Sequence, residues 1–407
     1  MGRGGVMDYL TVKETAEKWG LSVRSVQQLC TQGRIPGARK FGKSWAIPAN
    51  AEKSQVLRAS QTQTETVPEV SIERQMDNLC LMPLMNTSFQ PGSCLQTIEA
   101  MPAGPKQDIA WAEYHYFSGQ AEMAVKEVSP YLTHDDLAAR LSACLIYAYA
   151  NLSLGQISQA RAALGELNAS LAAAGEQSPL FRAASAFVAS AGTVLLHLPL
   201  PEQFPETQSF LSLLPPGLRA FSLYVQAHYL YLKGEYGLSA GMVEATLAMG
   251  AVHYPIPALY LHLVAVMNYM SLKQKDKAEE HLLAAWELAR PDDLLEGFGE
   301  HHGLLGGMLE AVIKPNWPED FKRIIAITYR FSAGWRKIHN PETGHNVADD
   351  LTTTEFAVAM LAARGWTNRE IVGHLKISSN TVKQYLDAAR EKLHVSRRQD
   401  LKKYMLR

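Results

Sequence analysis

Asn380, Thr381, Lys383 and Gln384 fall inside a stretch whose apolar residues, Val382, Leu386, Ala389 and Leu393, recur at helical spacing. A helix there buries the apolar set and turns the polar set outward, with Arg390 and Lys392 on the same outer side. Amides and hydroxyls exchange hydrogen bonds with base edges, and ammonium and guanidinium groups neutralise phosphate. The chemistry these types support is therefore nucleic-acid recognition. Three caps position the helix. Thr352 with Glu355, and Thr367 with Glu370, have capping-box spacing, and Ser378 can cap the third helix. Phe356, Met360 and Leu361 give the first helix its apolar face, Gly365 ends it, and Ile371 and Leu375 face inward from the second. Three short helices with tight turns make a helix-turn-helix.

The stretch reads Leu351-Thr352-Thr353-Thr354-Glu355, Thr367-Asn368-Arg369-Glu370-Ile371, Ile377-Ser378-Ser379-Asn380-Thr381-Val382-Lys383 and Lys392-Leu393, all in register. It resembles the DNA-binding domain of LuxR-type bacterial transcription regulators, so such a domain is expected over 346–407. The resemblance implies that the segment from Ser378 is the recognition helix. It also implies a fourth helix over 396–406, where Leu401, Tyr404 and Met405 could pair two copies into a homodimer. Thr367 and Asn368 join Asn380, Thr381, Lys383 and Gln384 as expected DNA contacts. Ser379, Tyr385 and His394 depart from the usual family residues, which bears on sequence preference.

A second unit is expected over 8–50. Thr11 and Glu14 again have capping-box spacing, Gly20 breaks that helix, and Ser22 caps another in which Val23, Val26 and Leu29 face in. Beyond Gly33, Arg39-Lys40-Phe41-Gly42-Lys43-Ser44-Trp45 lies between prolines and predicts a two-stranded wing with its tip near Gly42 and Lys43. Together these resemble the winged helix-turn-helix of excisionase and MerR-type proteins. The resemblance implies that Arg24, Ser25 and Gln28 approach bases while Arg39, Lys40 and Lys43 hold phosphates. Gly37 to Ser44 also satisfies the P-loop pattern. Phosphate cradling needs a buried strand before the loop and a helix after it, and proline stands where each should be, so the wing is the better reading.

Net charge over 407 residues is −1, but it is unevenly placed. Residues 1–58 hold ten Lys and Arg against four Asp and Glu, and 351–407 hold eleven against five. The 292 residues between hold 18 against 31, so two basic ends flank an acidic centre. Cys30, Cys80, Cys94 and Cys144 lack paired spacing and read as reduced thiols. The start does not resemble a signal peptide and no apolar run reaches membrane length, so a cytoplasmic protein is expected. Glu300-His301-His302 invites a metal reading, but no third ligand stands at i+4. Asp292 and Asp293 are better explained as helix caps than as paired catalytic carboxylates. No nucleophile motif or dinucleotide loop occurs, so neither enzyme activity, cofactor nor metal is expected.

Residues 51–107, rich in Ser, Thr, Gln, Met and Pro, predict a linker, with 79–84 apolar enough to dock on the body. A period then appears over 108–340. Gly119, Gly155 and Gly234 each follow a Tyr-rich segment and precede a buried-type Ala, and Lys273 takes the glycine's place in a fourth instance. One more, degenerate repeat is expected around Leu195, and a final helical block over 294–334 would cap the array. This resembles tetratricopeptide-type repeats, helical hairpins that stack to bury their second faces. Tyr114, Tyr147, Tyr229, Tyr231, Tyr260 and Tyr269 would pack between helices or line a groove. The expected fold is mainly α: an N-terminal winged helix-turn-helix, a central TPR-like array and a C-terminal LuxR-type helix-turn-helix. The expected function is a regulator that binds double-stranded DNA, with the array sensing a small-molecule or protein effector. The alternative is an interaction scaffold in which one or both terminal units no longer read DNA.

Overall fold

Thr11 starts the first helix by the mechanism its sequence predicts. Its side chain accepts from Glu14 N–H, and the Glu14 carboxylate accepts from Thr11 N–H at 2.8 Å. The structure is a computed structural model that describes residues 9–31, 35, 37–42, 44–51, 80–173, 179–195, 206–339 and 351–405. It divides into two units between residues 75 and 76. In the first, α1 (Val12–Trp19) ends at the left-handed Gly20, and α2 (Val23–Thr31) begins where Ser22 Oγ accepts from Ser25 N–H at 3.1 Å. Strands β2 (Arg39–Phe41) and β3 (Ser44–Pro48) form the expected wing. A third strand, β1 (Tyr9–Thr11), pairs antiparallel with β3, so the sheet order is β1-β3-β2. Three residues are too few to show alternation, and the cap signal at Thr11 conceals them. Val12, Ala16, Trp19, Val26, Cys30, Ile35 and Ile47 make this unit's core. Val23, expected inside, is 43% exposed, because it opens α2 before the helix meets that core. Ser44 opens a strand where a P-loop would need a helix N-terminus.

In the second unit the linker expected over 51–107 has already given way to packed chain at residue 80. Leu81, Leu84, Met85 and Phe89 are buried, as are Cys94 and Ile98 on α3 (Cys94–Glu99). Leu84 and Met85 donate their backbone N–H groups to the buried Glu113 carboxyl at 2.7 and 3.0 Å, and Met82 N–H donates to Ser142 Oγ at 2.9 Å. A segment with no regular period is thus held by side chains from the helices it crosses. Leu81 and Leu84 lie in the apolar stretch expected to dock, and the packing continues beyond it to Ile98.

The body is a run of antiparallel helical hairpins: α4 (Pro105–Phe117) with α5 (Ala121–Val128), and α6 (Leu137–Ser153) with α7 (Ile157–Ala173). Then come α8 (Pro179–Leu195) and the short α9 (Thr207–Leu211), where the degenerate repeat was expected. Two further hairpins follow, α10 (Pro216–Leu232) with α11 (Tyr236–Ala248), and α12 (Pro255–Ser271) with α13 (Lys275–Ala289). Four turns share one geometry. Gly119, Gly155, Gly234 and Lys273 have φ of 80°, 70°, 81° and 59°, all left-handed. The next residue in each, Gln120, Gln156, Glu235 and Gln274, donates its N–H back five positions, at 2.7, 2.8, 3.0 and 2.8 Å. This is the Schellman closure that satisfies the last carbonyls of a helix, and it favours glycine because a Cβ is strained there.

The block expected to cap the array instead runs into it. α14 (Glu296–His301) is buried against α12 and α4, and α15 (Pro318–His339) packs along α14 and α6. The C-terminal helices are α16 (Thr353–Ala363), α17 (Asn368–Leu375), α18 (Ser379–Lys392) and α19 (Lys402–Met405). They share one continuous hydrophobic core with the array. Among the described residues, no helix is long and apolar enough to cross a membrane.

Candidate nucleic-acid interface

Capping boxes Thr352–Glu355 and Thr367–Glu370 start α16 and α17, and Ser378 Oγ accepts from Thr381 N–H at 3.0 Å to start α18. Ile371 and Leu375 from α17, and Val382, Leu386 and Ala389 from α18, with Leu393 just beyond, are buried as their spacing predicts. The outer face of α18 follows from that burial. Asn380, Lys383 and Gln384 are exposed, together with Ser378 and Ser379, and Thr381 is half-buried with its hydroxyl 2.7 Å from Ser378 Oγ. Asn380 and Gln384 stand four apart and Lys383 beside them, so two amides and an ammonium share one patch at the positive end of the helix dipole.

The far half of α18 behaves differently from expectation. Lys392 donates to Glu355 Oε2 at 2.7 Å, and Arg390 pairs with Asp387 and donates to Ser396 O at 3.2 Å. Both cations are spent inside the domain. Burial pushes the Glu355 carboxyl up, but hydrogen bonds from Lys392 and Thr352 outweigh it and hold it below its usual range. Asp387 and Glu391 are exposed beyond the patch, Asp387 as the partner of Arg390. Thr367 is exposed at its cap, and Asn368 is half-buried with its side-chain oxygen accepting from Arg398. Arg398 also donates to Trp366 O, tying the fourth segment to the first turn of α17. Leu401 and Met405, expected to pair two copies, are buried against α16 of the same chain, while Tyr404 is half-buried. A four-residue helix has too little surface to serve both its own core and a partner.

In the first unit Arg24 and Gln28 are exposed four residues apart on α2, and Ser25 is half-buried with its hydroxyl 2.7 Å from Ser22 Oγ. Arg39 and Lys40 are exposed on β2, with Lys40 Nζ 6.0 Å from the Trp45 ring centre. Lys43 lies outside the described residues.

A second polar cluster fills the centre of the array. Glu296 and Glu300 stand four apart on α14, the first buried and the second half-buried. Ser153 donates to Glu296 at 3.0 Å, Arg330 lies 3.4 Å from it, and Tyr116 and Tyr260 donate to Glu300, the latter at 3.0 Å. Burial and the Glu300 carboxyl raise the pKa of Glu296, and burial raises that of Glu300. His301 donates Nδ1–H to Gly297 O at 2.8 Å and accepts from Tyr224, and burial lowers its pKa to about 4, so the ring is neutral. His302 turns elsewhere, to Glu310 at 2.8 Å. Glu300, His301 and His302 therefore do not converge. Among the described residues no group of three or more His, Cys, Asp or Glu is placed to hold a metal ion. Asp292 does cap a helix, but a distant one, α3. Asp293 is left-handed at φ 64° and pairs with Arg323. Of the repeat tyrosines, Tyr231, Tyr260 and Tyr269 are buried and Tyr114, Tyr147 and Tyr229 half-buried. The Glu296–Glu300 spacing was the available signal for the central cluster, and the adjacent histidines drew attention away from it.

The family model for bacterial regulatory proteins of the luxR family matches residues 349–405. The C-terminal unit is a LuxR-family helix-turn-helix domain. Within it, the exposed Asn380, Lys383 and Gln384 lie near the N-terminal end of α18. A model for a helix-turn-helix domain matches residues 9–51, so the N-terminal unit is of that type too. DNA-binding domains thus stand at both ends of this mainly helical chain. No curated protein matches it.

Proposed function

We propose that the chain is a transcription regulator whose LuxR-family domain reads the operator, whose N-terminal unit makes a second DNA contact, and whose helical array senses an effector. The observation that carries this reading is the condition of α18. Its patch of Asn380, Lys383 and Gln384 is exposed while the rest of the domain is packed against the array. Lys383 neutralises phosphate, and Asn380, Thr381 and Gln384 exchange hydrogen bonds with base edges. Arg24, Ser25 and Gln28 would do the same from α2, with Arg39, Lys40 and Lys43 on phosphates and Thr367 and Asn368 at the α17 start. The array's effector, a small molecule or a protein segment, would act on helices whose polar centre is Glu296 and Glu300.

The test is to incubate the full chain with sheared DNA from its source and sequence what is retained, alongside Lys383→Ala/Gln384→Ala and Arg24→Ala/Gln28→Ala. A sharp set of sites that disappears with the first pair makes the LuxR-family domain the specific reader. Loss with the second pair alone moves that role to the N-terminal unit. If the unsubstituted chain selects no sites, the interaction scaffold becomes the better reading.

A further inference from the structure

Three of the four matching hairpin turns carry glycine at the left-handed position, and the fourth carries Lys273 at φ 59°. A lysine is strained there, and nothing in the turn itself calls for one, because its Schellman bond from Gln274 to Tyr269 is the same as in the others. What differs is where the side chain goes. Lys273 Nζ donates to Gly365 O at 2.8 Å and lies 3.6 Å from Glu370 Oε1. Gly365 is the turn that ends α16, and Glu370 is half of the capping box that starts α17. The array's lysine thus holds the joint between the first two helices of the LuxR-family domain.

A second contact lies on the neighbouring stretch 302–307. A Cβ at Gly303 would stand 2.6 Å from the Phe356 ring of α16, and one at Gly307 would stand 2.9 Å from Leu375 Cδ2 of α17. Gly306 O accepts from His374 Nε2 at 3.2 Å, and Arg364 donates to Leu304 O at 2.6 Å and to Tyr231 on α10 at 2.8 Å. The glycines let two helices of the domain lie directly on the array backbone. Residues 302–305 follow His301 directly as a 3-10 turn, which the left-handed Gly306 and Gly307 end, so the stretch is joined to the helix that carries Glu296 and Glu300.

We propose that Lys273 is a positioning residue: it latches the LuxR-family domain onto the array, so that the array, and not a free tether, sets how α18 is presented. A shift of α14 would reach the domain through 302–307, and Lys273 fixes the other side of the joint. This rests on the DNA-reading role proposed above only for its biological use; the latch itself is tested without DNA.

The experiment is amide hydrogen exchange on the full chain and on Lys273→Gly and Lys273→Arg. Glycine restores the residue the other turns use, so the hairpin keeps its closure while the latch is lost. Exchange over 366–375 is expected to rise by about fivefold in Lys273→Gly, as for loss of a half-exposed charge-assisted hydrogen bond, and to stay near the parent level in Lys273→Arg. Helices α4 to α7 should be unchanged in both. Equal exchange over 366–375 in Lys273→Gly and the parent would overturn the latch, as would failure of arginine to restore protection. Because the readout contains no DNA, a chain that binds no DNA but shows this pattern would refute the proposed function and leave the latch standing.

Discussion

Asp292 and Cys94 are joined across almost two hundred residues of chain. The Asp292 carboxylate accepts from Cys94 N–H at 2.9 Å and from Gly92 N–H at 2.7 Å, capping α3 from the far end of the array. A helix too short to be stable alone is held by a side chain that also closes the fold. Asp292→Ala should cost ~1–3 kcal/mol in chemical denaturation, the range for an ionised cap on partly buried amides. Asp292→Asn keeps an acceptor and should cost less; no loss in Asp292→Ala would show that the cap contributes nothing.

Glu113 gives a pH prediction. Burial pushes its carboxyl up to about 8, against the two N–H donors of Leu84 and Met85. The folded pKa lies above the ordinary value, so the stability linked to this group is complete below about pH 4.5 and is lost as pH rises through about 8. Glu296 and Glu300 act in the same sense. The thermal midpoint of Glu113→Gln should therefore fall less steeply than the parent's between about pH 5 and 8. Parallel curves would mean that Glu113 is ionised in the fold.

The hairpin turns separate backbone strain from crowding. Gly119→Ala and Gly234→Ala both place a Cβ on a left-handed residue, at φ 80° and 81°. At Gly234 nothing lies within 4 Å of it, whereas at Gly119 it would meet Ile327 Cδ1 at 3.0 Å. Gly234→Ala should cost ~1 kcal/mol and Gly119→Ala more, by unfolding in denaturant. Identical costs would leave α15 without a close contact at this turn.

Lys383 and Gln384 should differ in the kind of loss they cause. Lys383→Ala is expected to weaken binding to all sequences and lower the salt slope of affinity by about one, as a phosphate contact does. Gln384→Ala should cost ~1–3 kcal/mol on the selected site and little on random duplex, as a base contact does. A lysine variant that keeps the full slope would place Lys383 off the phosphates.

Much of this was legible in the chain because it is local. The capping boxes at Thr11, Thr352 and Thr367, the buried Val382-Leu386-Ala389 stripe and the left-handed turns at Gly119, Gly155 and Gly234 all depend on residues within a few positions of one another. What the chain concealed depends on distance. The packing of 85–107, the inward turn of Leu401 and Met405, the spending of Lys392 on Glu355 and the burial of Glu296 arise from partners dozens to hundreds of positions away. Lys273 lies between the two cases, since its departure from glycine was visible and its reason was not.

On the proposed reading, the shortness of the exposed patch on α18 limits how much sequence one domain could specify. From Ser379 to Gln384 the helix advances about 7.5 Å at 1.5 Å per residue, which matches roughly two steps of duplex at 3.4 Å each, or about three base pairs. Three base pairs recur about once in every few dozen positions, far too often to mark one site in a genome. On the proposed reading, the information that makes a site unique would have to come from a further contact, by α2 of the same chain or by α18 of another copy, because the patch on one α18 is too short to supply it.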